Sequence, residues 1–503
     1  MCFIRLCMAC IAMLLASCGA LPTTTPRSPS TSLEHPDRTS LGRLVRAVRP
    51  AAAGAGISGF ALLADGREAL DARLALVDSA TRTLDLQYYL IAEGATVDEL
   101  ERHIVAAAER GVRVRILVDD FNTAGQDARG SKLISHPRIE VRLFNPFARG
   151  RESLAARLLM LLGDDGHLSR RMHNKLMVTD NAVAVTGGRN LGDSYFVRST
   201  DSNFVDLDVF VAGDAVQDMS RAFDRYWNDD LAYPVQAFVR SPATVPEAGG
   251  APADVAPTPW VQRRVSALEW TPASVLVDDP SKIANGRPRD GPSTFDDEIV
   301  RLVEGATHEV VIVSPYFVPG RRGIELAARL HRRGVRMVVL TNSLAATDAP
   351  AVHAGYAPYR EQLVAEGVEL YELRPEFARN SDATRRRFGD FATSRASLHA
   401  KLVVVDRATA VIGSMNVDPR SRYSNTEMAI VVHSPALAAE ALHLFEDPSH
   451  ENAYRVRLAA DGSLEWVLGP KGRERVSRSE PEVSLWRRLG LILLTPFTPE
   501  DML

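Results

Sequence analysis

The sequence predicts an α/β protein of two repeated units, each built around a mostly parallel sheet. Three observations carry this: strand-type apolar runs alternate with helical stretches, the same order of elements occurs twice, and one eight-residue motif recurs in both copies. The first copy opens on Leu84-Asp85-Leu86-Gln87-Tyr88-Tyr89 and continues through a helical stretch ending Arg110-Gly111-Val112-Arg113. It then runs through Val114 to Val118 and Val141-Arg142-Leu143-Phe144-Asn145-Pro146. The second copy offers Val310 to Tyr316, Arg333-Gly334-Val335-Arg336, Met337 to Leu340 and Glu369 to Pro375. In both, a glycine ends the helix just before an apolar strand. A repeat this long means duplicated domains rather than a solenoid, whose periods are much shorter.

At 503 residues the chain exceeds one ordinary domain, and 46% hydrophobic content allows large cores. The formal net charge of -4 provides no overall basic field, which argues against DNA or RNA as partner. All four cysteines (Cys2, Cys7, Cys10, Cys18) lie at the N-terminus, which excludes a disulfide framework or a cysteine metal site in the body. Arg5 followed by the apolar run Leu6 to Ala16 reads as a signal peptide over residues 1–17, too short to span a bilayer comfortably. A Pro/Ser/Thr-rich flexible tether is expected over 18–45, a first domain over 46–240, and a linker with five Ala and five Pro over 241–259. A second domain over 260–457 and a C-terminal extension over 458–503 complete the expected organisation. In that extension, Trp486-Arg487-Arg488 beside the apolar run Leu489 to Leu494 suits either interfacial docking or packing on the body.

The chemistry is carried by His173-x-Lys175-x4-Asp180, followed after six residues by Gly187-Gly188-Arg189-Asn190, and by His399-x-Lys401-x4-Asp406, followed after six by Gly413-Ser414-Met415-Asn416. Every internal spacing matches. In an extended chain residues i and i+2 face one side, so each His and Lys project together. The glycine corners are expected to let backbone approach a ligand, and Asn190 and Asn416 to aim amide donors at it. One copy alone fits a buried core histidine and a surface lysine. Two matched copies in a chain with 12 His and only five Lys do not, since even one chance copy is expected in roughly one such chain in a hundred. Lysine rather than arginine suits a compact ammonium holding one phosphoryl oxygen. Two imidazoles flanking a phosphodiester can split it without metal or cofactor, one attacking phosphorus and the other donating a proton to the leaving alcohol.

These residues resemble the phospholipase D superfamily, and the likeness runs from about Ser58 to Asp447. Leu84 to Tyr89, Arg171 to Lys175, Phe223 to Asn228, Ser314 to Pro319, Val352 to Tyr356 and the stretch from Glu480 to the C-terminus resemble the bacterial cardiolipin synthases, in particular the C-type branch. The resemblance implies two α-β-α sandwich domains related by a pseudo-twofold axis, with one active site at their interface. It implies a phosphohistidine intermediate, with His173 as nucleophile and His399 as acid, and catalytic motifs His173-Lys175-Asp180 and His399-Lys401-Asp406. Asp180 and Asp406 themselves suit pinning of the motif turns better than contact with substrate. An acidic residue before a later strand orients each histidine in that family; Glu427 and Asp206 take this place here, with Asp208 as competitor for Asp206. The implied substrates are phosphatidylglycerol and, in the C-type branch, phosphatidylethanolamine as donor. A phospholipid hydrolase uses the same site with water as acceptor. A periplasmic nuclease is the more distant alternative, with Arg170-Arg171 and Arg385-Arg386-Arg387 as phosphate contacts. Leu15-Ala16-Ser17-Cys18 resembles a bacterial lipobox, which superfamily members do not require. It implies acylation of Cys18 and a lipid-anchored protein on the periplasmic side of an envelope membrane, Gly19 favouring the outer one. The Leu-rich stretch Leu154 to Leu162, with Arg151 and Arg157 nearby, suits either a lip that dips into the membrane interface or a packed helix. Nothing in the sequence bears on oligomeric state.

Overall fold

The computed structural model describes residues 21, 25–161, 166–239, 253–285, 295–377, 382–391, 394–446, 451–484 and 486. The first half contributes β1 (Ile57–Leu63), β2 (Thr83–Tyr88), β3 (Arg113–Asp119), β4 (Ile139–Phe144), β5 (Leu176–Thr179), β6 (Val183–Gly187), β7 (Ser202–Val205), β8 (Asp208–Gly213) and β9 (Ala232–Pro234). The second contributes β10 (Glu269–Val277), β11 (Glu309–Val313), β12 (Arg336–Asn342), β13 (Glu369–Leu373), β14 (Arg395–Leu398), β15 (Leu402–Val405), β16 (Thr409–Gly413), β17 (Met428–His433), β18 (Ala453–Leu458), β19 (Leu464–Leu468) and β20 (Arg475–Ser477).

Hydrogen bonding orders them as β9-β4-β3-β2-β5-β6-β8-β1 and then β10-β17-β16-β15-β11-β12-β13-β18-β19-β20. The second series repeats the first in reverse about the antiparallel β1–β10 pair, so two like units share a single 18-stranded sheet. Helices cover both faces. Gly66–Ser79 and Ala95–Glu109 pack on one side of the first unit, and Asp214–Trp227 on the other. One apolar core spans both halves, joining Leu207, Val209 and Phe223 to Leu398, Ile412 and Ile430. Each unit also has an outer core of its own.

Several expectations are corrected. The sheets are mixed rather than mostly parallel: β2-β3-β4 and β11-β12-β13 are parallel, and the other pairings within the large sheet are antiparallel. The motif strands dictate this. Asp180 and Asn181, and likewise Asp406 and Arg407, have φ near +50°, giving the double left-handed turn that folds a strand back as a hairpin. The described part of the expected flexible tether is docked on the body. Arg115, Arg142 and Arg113 donate to the carbonyls of Ser30, Ser28 and Thr31, and Ser40–Val48 is a helix that buries Leu41. Beyond the expected linker, the helix Pro259–Ser266 buries Val261 and Val265 in the first unit's outer core rather than in the second unit's. The C-terminal extension begins as strands β19 and β20 on the second unit's edge of the shared sheet. Cys18, the leader 1–17, linker residues 241–252 and the tail 487–503 lie outside the described residues.

Candidate active site

His173 and His399 each precede a motif strand, and each is fastened to the opposite half of the chain. The backbone N–H of His173 donates to Thr426 O at 2.9 Å, and that of His399 donates to Val205 O at 2.8 Å. The second contact extends the parallel β14–β7 pair, in which Leu398 faces Val205; the first is its counterpart, the bridge Met172–Thr426. Because Thr426 precedes Glu427 and Val205 precedes Asp206, each pairing brings an acid of one half to the histidine of the other. His173 Nδ1 lies 2.9 Å from Glu427 Oε2, and His399 Nδ1 lies 2.7 Å from Asp206 Oδ2. A carboxylate on Nδ1 fixes the tautomer and leaves Nε2 for the substrate. Between the two candidates, Asp206 faces the imidazole, whereas Asp208 pairs with Arg73 and Arg189.

The two dyads are electrostatically unlike. Burial pushes Glu427 up to about 7, partly offset by Lys175 and by the hydroxyls of Ser414 and Ser421, which donate to its oxygens. Burial also raises Asp206, but His399, Lys401 and Arg189 outweigh it and bring the carboxyl down to about 2. Burial, then the neighbouring cations Lys175 and Lys401, holds His173 well below the ordinary imidazole range. His399 is lowered by burial and Lys401, against the opposing pull of Asp206. Removal from water likewise lowers both lysines, Lys401 to about 8. Each lysine donates to the carbonyl of its own histidine, Lys175 Nζ at 2.7 Å and Lys401 Nζ at 2.5 Å, and Lys401 Nζ also lies 3.0 Å from His399 Nδ1, which leaves donors on each ammonium for a phosphoryl oxygen.

Asn190 and Asn416 are buried beside these groups. Asn190 Nδ2 donates to Tyr195 Oη at 2.9 Å, and Oδ1 of both side chains is buried without a partner among the described residues. An amide flip would turn the NH2 of Asn190 into the cavity and leave its oxygen on Tyr195.

Asp180 and Asp406 lie outside the reaction centre, in keeping with their reading as turn pins and against the catalytic place the family motif implies. Asp180 accepts from Thr81 N, Thr81 Oγ1, Arg82 N and Thr83 N, and Asp406 accepts from the matching Thr307, His308 and Glu309 groups. Each closes the far end of its motif strand and clamps the start of the neighbouring antiparallel strand, β2 or β11. The glycine corner serves the acid rather than a ligand. A Cβ on Gly188 would meet Asp206 Oδ1 at 2.0 Å, and one on Gly187 would meet Asp208 at 2.5 Å. In the second half Ser414 stands at the position of Gly188, and its hydroxyl donates to Glu427.

Sequence reasoning missed the aromatic walls. Tyr89 lies edge-on to His173 with centroids 5.0 Å apart, while Tyr195 and Phe204 flank His399 at 5.1 and 4.9 Å. It also missed Arg189, which is buried and donates to Asp206 O at 2.9 Å. Its position inside Gly187-Gly188-Arg189-Asn190 was the available signal. Arg171 and Arg387 are committed to protein partners: Arg171 to Asp119 and Asn145 O, and Arg387 to His443 and Glu446 O.

This geometry stands beside matches to known proteins. The family model described as "Cardiolipin synthase, PLD-like domain" matches residues 74–227 and again 299–447, one match per half. The chain belongs to this family. Among cardiolipin synthase relatives, it is 38% identical to cardiolipin synthase C of Escherichia coli K12 over 87% of this chain and 94% of the relative. It is 24% identical to cardiolipin synthase B of the same strain over 74% of this chain and 76% of that one. Of solved structures, phosphatidylserine synthase of Haemophilus influenzae Rd KW20 covers 92% of this chain and 100% of its own length, with a TM-score of 0.55 at 12% identity; that likeness is one of fold. Each match of the cardiolipin synthase domain contains one His-x-Lys-x4-Asp motif, and each motif histidine is bonded to the opposite matched half.

Proposed function

We propose that this chain is a phosphatidyltransferase of the cardiolipin synthase type that joins phosphatidylglycerol to a phosphatidyl group taken from a second phospholipid. The observation that carries the reading is the pair of crossed His–acid dyads, His173–Glu427 and His399–Asp206, in a chain 38% identical to cardiolipin synthase C over most of its length. His173 Nε2 attacks phosphorus as the bridging P–O bond breaks, and His399 Nε2–H gives its proton to the leaving alkoxide. The phosphatidyl group then sits on His173. Neutral His399 next takes the proton of the incoming glycerol hydroxyl, whose oxygen attacks phosphorus and releases His173. Lys175 and Lys401 hold the non-bridging oxygens, whose charge grows in the transition state. The stronger carboxylate partner of His399 suits the imidazole that starts protonated, and the deeper depression of His173 suits the one that attacks.

The proposed location is the periplasmic side of an envelope membrane, on acylated Cys18. Because the chain is docked from Arg27 onward, residues 18–26 allow a reach of at most about 30 Å even when extended. The helix Leu154–Leu161 exposes Leu154 and Leu158 (47% and 49%) on one face. Beside that face Arg157 is buried and donates to Phe121 O, two residues beyond Asp119, which itself accepts from Met172 N beside His173. An apolar face held there suits contact with a bilayer surface.

The deciding experiment incubates the protein with vesicles of phosphatidylglycerol and phosphatidylethanolamine in EDTA and reads the lipids by mass spectrometry. Cardiolipin formation that disappears in His173→Ala and His399→Ala is the expected result. Phosphatidic acid alone would make the chain a hydrolase, and nicked plasmid with unchanged lipids would make it a nuclease.

A further inference from the structure

The segment that carries each motif histidine is held along both edges, and the two edges are held by different halves. One edge pairs with the opposite half, through Thr426 for His173 and Val205 for His399. The other is bonded by a side chain at the end of the middle parallel strand of its own half. Asp119 ends β3 and Asn342 ends β12, and the strand registers make the two residues equivalent. Leu117 pairs with Gln87, which faces Leu176 of the first motif strand. Leu340 pairs with Val313, which faces Leu402 of the second. Asp119 and Asn342 each stand two residues further on.

Their grips differ. Asp119 Oδ2 accepts from the N–H of Met172, the residue before His173, at 2.8 Å, while Oδ1 accepts from Phe121 N and Arg171 Nη1. An ionised carboxylate only accepts, so it cannot hold a carbonyl. Asn342 does both for Leu398, the residue before His399. Its Oδ1 accepts from Leu398 N at 2.8 Å, and its Nδ2 donates to Leu398 O at 2.9 Å and reaches Pro315 O at 3.4 Å. Flipping this amide would set oxygen against carbonyl and NH2 against N–H, so its orientation is fixed by its partners. Asn342 and Leu398 are both buried. The peptide group that joins Leu398 to His399 is therefore pinned at both ends. Asn342 of its own half holds the oxygen, and Val205 O of the other half takes the N–H at 2.8 Å.

The two histidines have different mechanical tasks in the transfer proposed above, and the inference rests on those roles. His173 Nε2 closes on phosphorus to form a covalent bond and later releases it, so its segment must yield. His399 forms no covalent bond. It gives its Nε2 proton to the leaving oxygen and then takes one from the incoming hydroxyl, so it must stay within hydrogen-bond reach of one place in both steps. A shift of about 1 Å is enough to cost such a group much of its rate. We propose that Asn342 is a positioning residue for the proton donor: by holding the Leu398–His399 peptide against Val205 of the opposite half, it fixes where His399 Nε2 stands over the leaving oxygen. Asp119, which grips one N–H and no carbonyl, leaves the His173 segment freer to follow phosphorus.

The test uses the full-length protein with Asn342→Ala and Asn342→Asp. The second keeps the side-chain shape and the acceptor for Leu398 N but loses the donor to Leu398 O, so it isolates the grip on the peptide. Each is given two vesicle-borne donors: phosphatidylglycerol, whose alkoxide must be protonated as it leaves, and phosphatidyl-p-nitrophenol, whose phenolate leaves without a proton. The readout is the rate of the first step, from quenched-flow release of glycerol and from the initial burst of p-nitrophenol. Both variants should slow the first step from phosphatidylglycerol roughly 10- to 100-fold, with KM little changed and the p-nitrophenol burst nearly intact. A variant that has merely lost its fold loses both rates together. Equal slowing from the two donors in both variants, or no slowing from either, overturns the role of Asn342 while phosphatidyl transfer itself still stands. A wild-type protein that forms no phosphohistidine adduct from either donor removes the transferase reading and this proposal with it.

Discussion

His173 and Glu427 come from different halves of the chain, and their side chains meet with Nδ1 2.9 Å from Oε2. The mirror contact, His399 with Asp206 at 2.7 Å, crosses the other way. Neither half therefore holds a complete dyad, and the shared apolar core is what holds each histidine against its partner's acid.

Replacing Glu427 by Gln keeps the shape but removes the charge that steadies the His173 tautomer. The expected outcome is a fall in kcat of roughly 10- to 100-fold with little change in KM, by analogy with outer partners of ligating histidines. Steady-state kinetics on mixed vesicles measures it, and a change confined to KM would count against an orienting role.

The assignment of nucleophile is checked by trapping. In His399→Ala, a phosphatidyl substrate with a good leaving group such as p-nitrophenol needs no acid for the first step. The phosphatidyl adduct should then accumulate on His173 and be lost on acid treatment, as peptide mass spectrometry would reveal. An adduct on His399 in the converse His173→Ala variant, with none on His173, would reverse the roles.

The pH dependence has a definite sign. Asp206 favours the protonated form of His399, against burial and Lys401, which disfavour it. Asp206→Asn removes that support, so His399 loses its proton at lower pH and the alkaline limb of the rate profile moves down. A limb that stays in place or moves up would exclude His399 as the proton donor of the first step.

Asp180 is fully buried and accepts four hydrogen bonds from residues 81–83. Asp180→Ala strands those donors and is expected to cost about 1–3 kcal/mol for each one left buried and unsatisfied. The effect should be a lower Tm in thermal unfolding, with activity lost in proportion to unfolding. A folded variant with unchanged Tm and no turnover would return Asp180 to the reaction centre.

Leu154 and Leu158 are predicted to face lipid. Exchanging both for Asp removes apolar side chains each worth roughly 1.5–3 kcal/mol when fully buried. Vesicle co-sedimentation of protein lacking the acyl anchor should fall at least tenfold, and unchanged sedimentation would make this helix face a simple solvent surface.

The repeat, the paired motifs and their hairpin character were legible because they are written in short-range spacing. A strand of four mostly apolar residues between Lys and Asp, and an Asp that tolerates a left-handed turn, act over a few bonds. The acids Glu427 and Asp206 were also reachable, since each stands beside a strand in the matching place of the repeat. Less legible was anything that depends on which backbone lies next to which. The docking of Ser28, Ser30 and Thr31 by Arg142, Arg115 and Arg113, and the aromatic walls around the histidines, arise from contacts between segments far apart in sequence.

By itself, then, the sequence determined that this is a duplicated α/β protein with two histidine–lysine motifs suited to phosphodiester chemistry, because local spacing and residue type suffice for that. Only the tertiary structure decided that the dyads are crossed, that Gly188 makes room for Asp206 and not for a ligand, and that Asp180 and Asp406 clamp strand ends. Those outcomes depend on the parallel contacts Leu398–Val205 and Met172–Thr426 between halves, and such through-space pairing leaves no mark in the spacing of either motif.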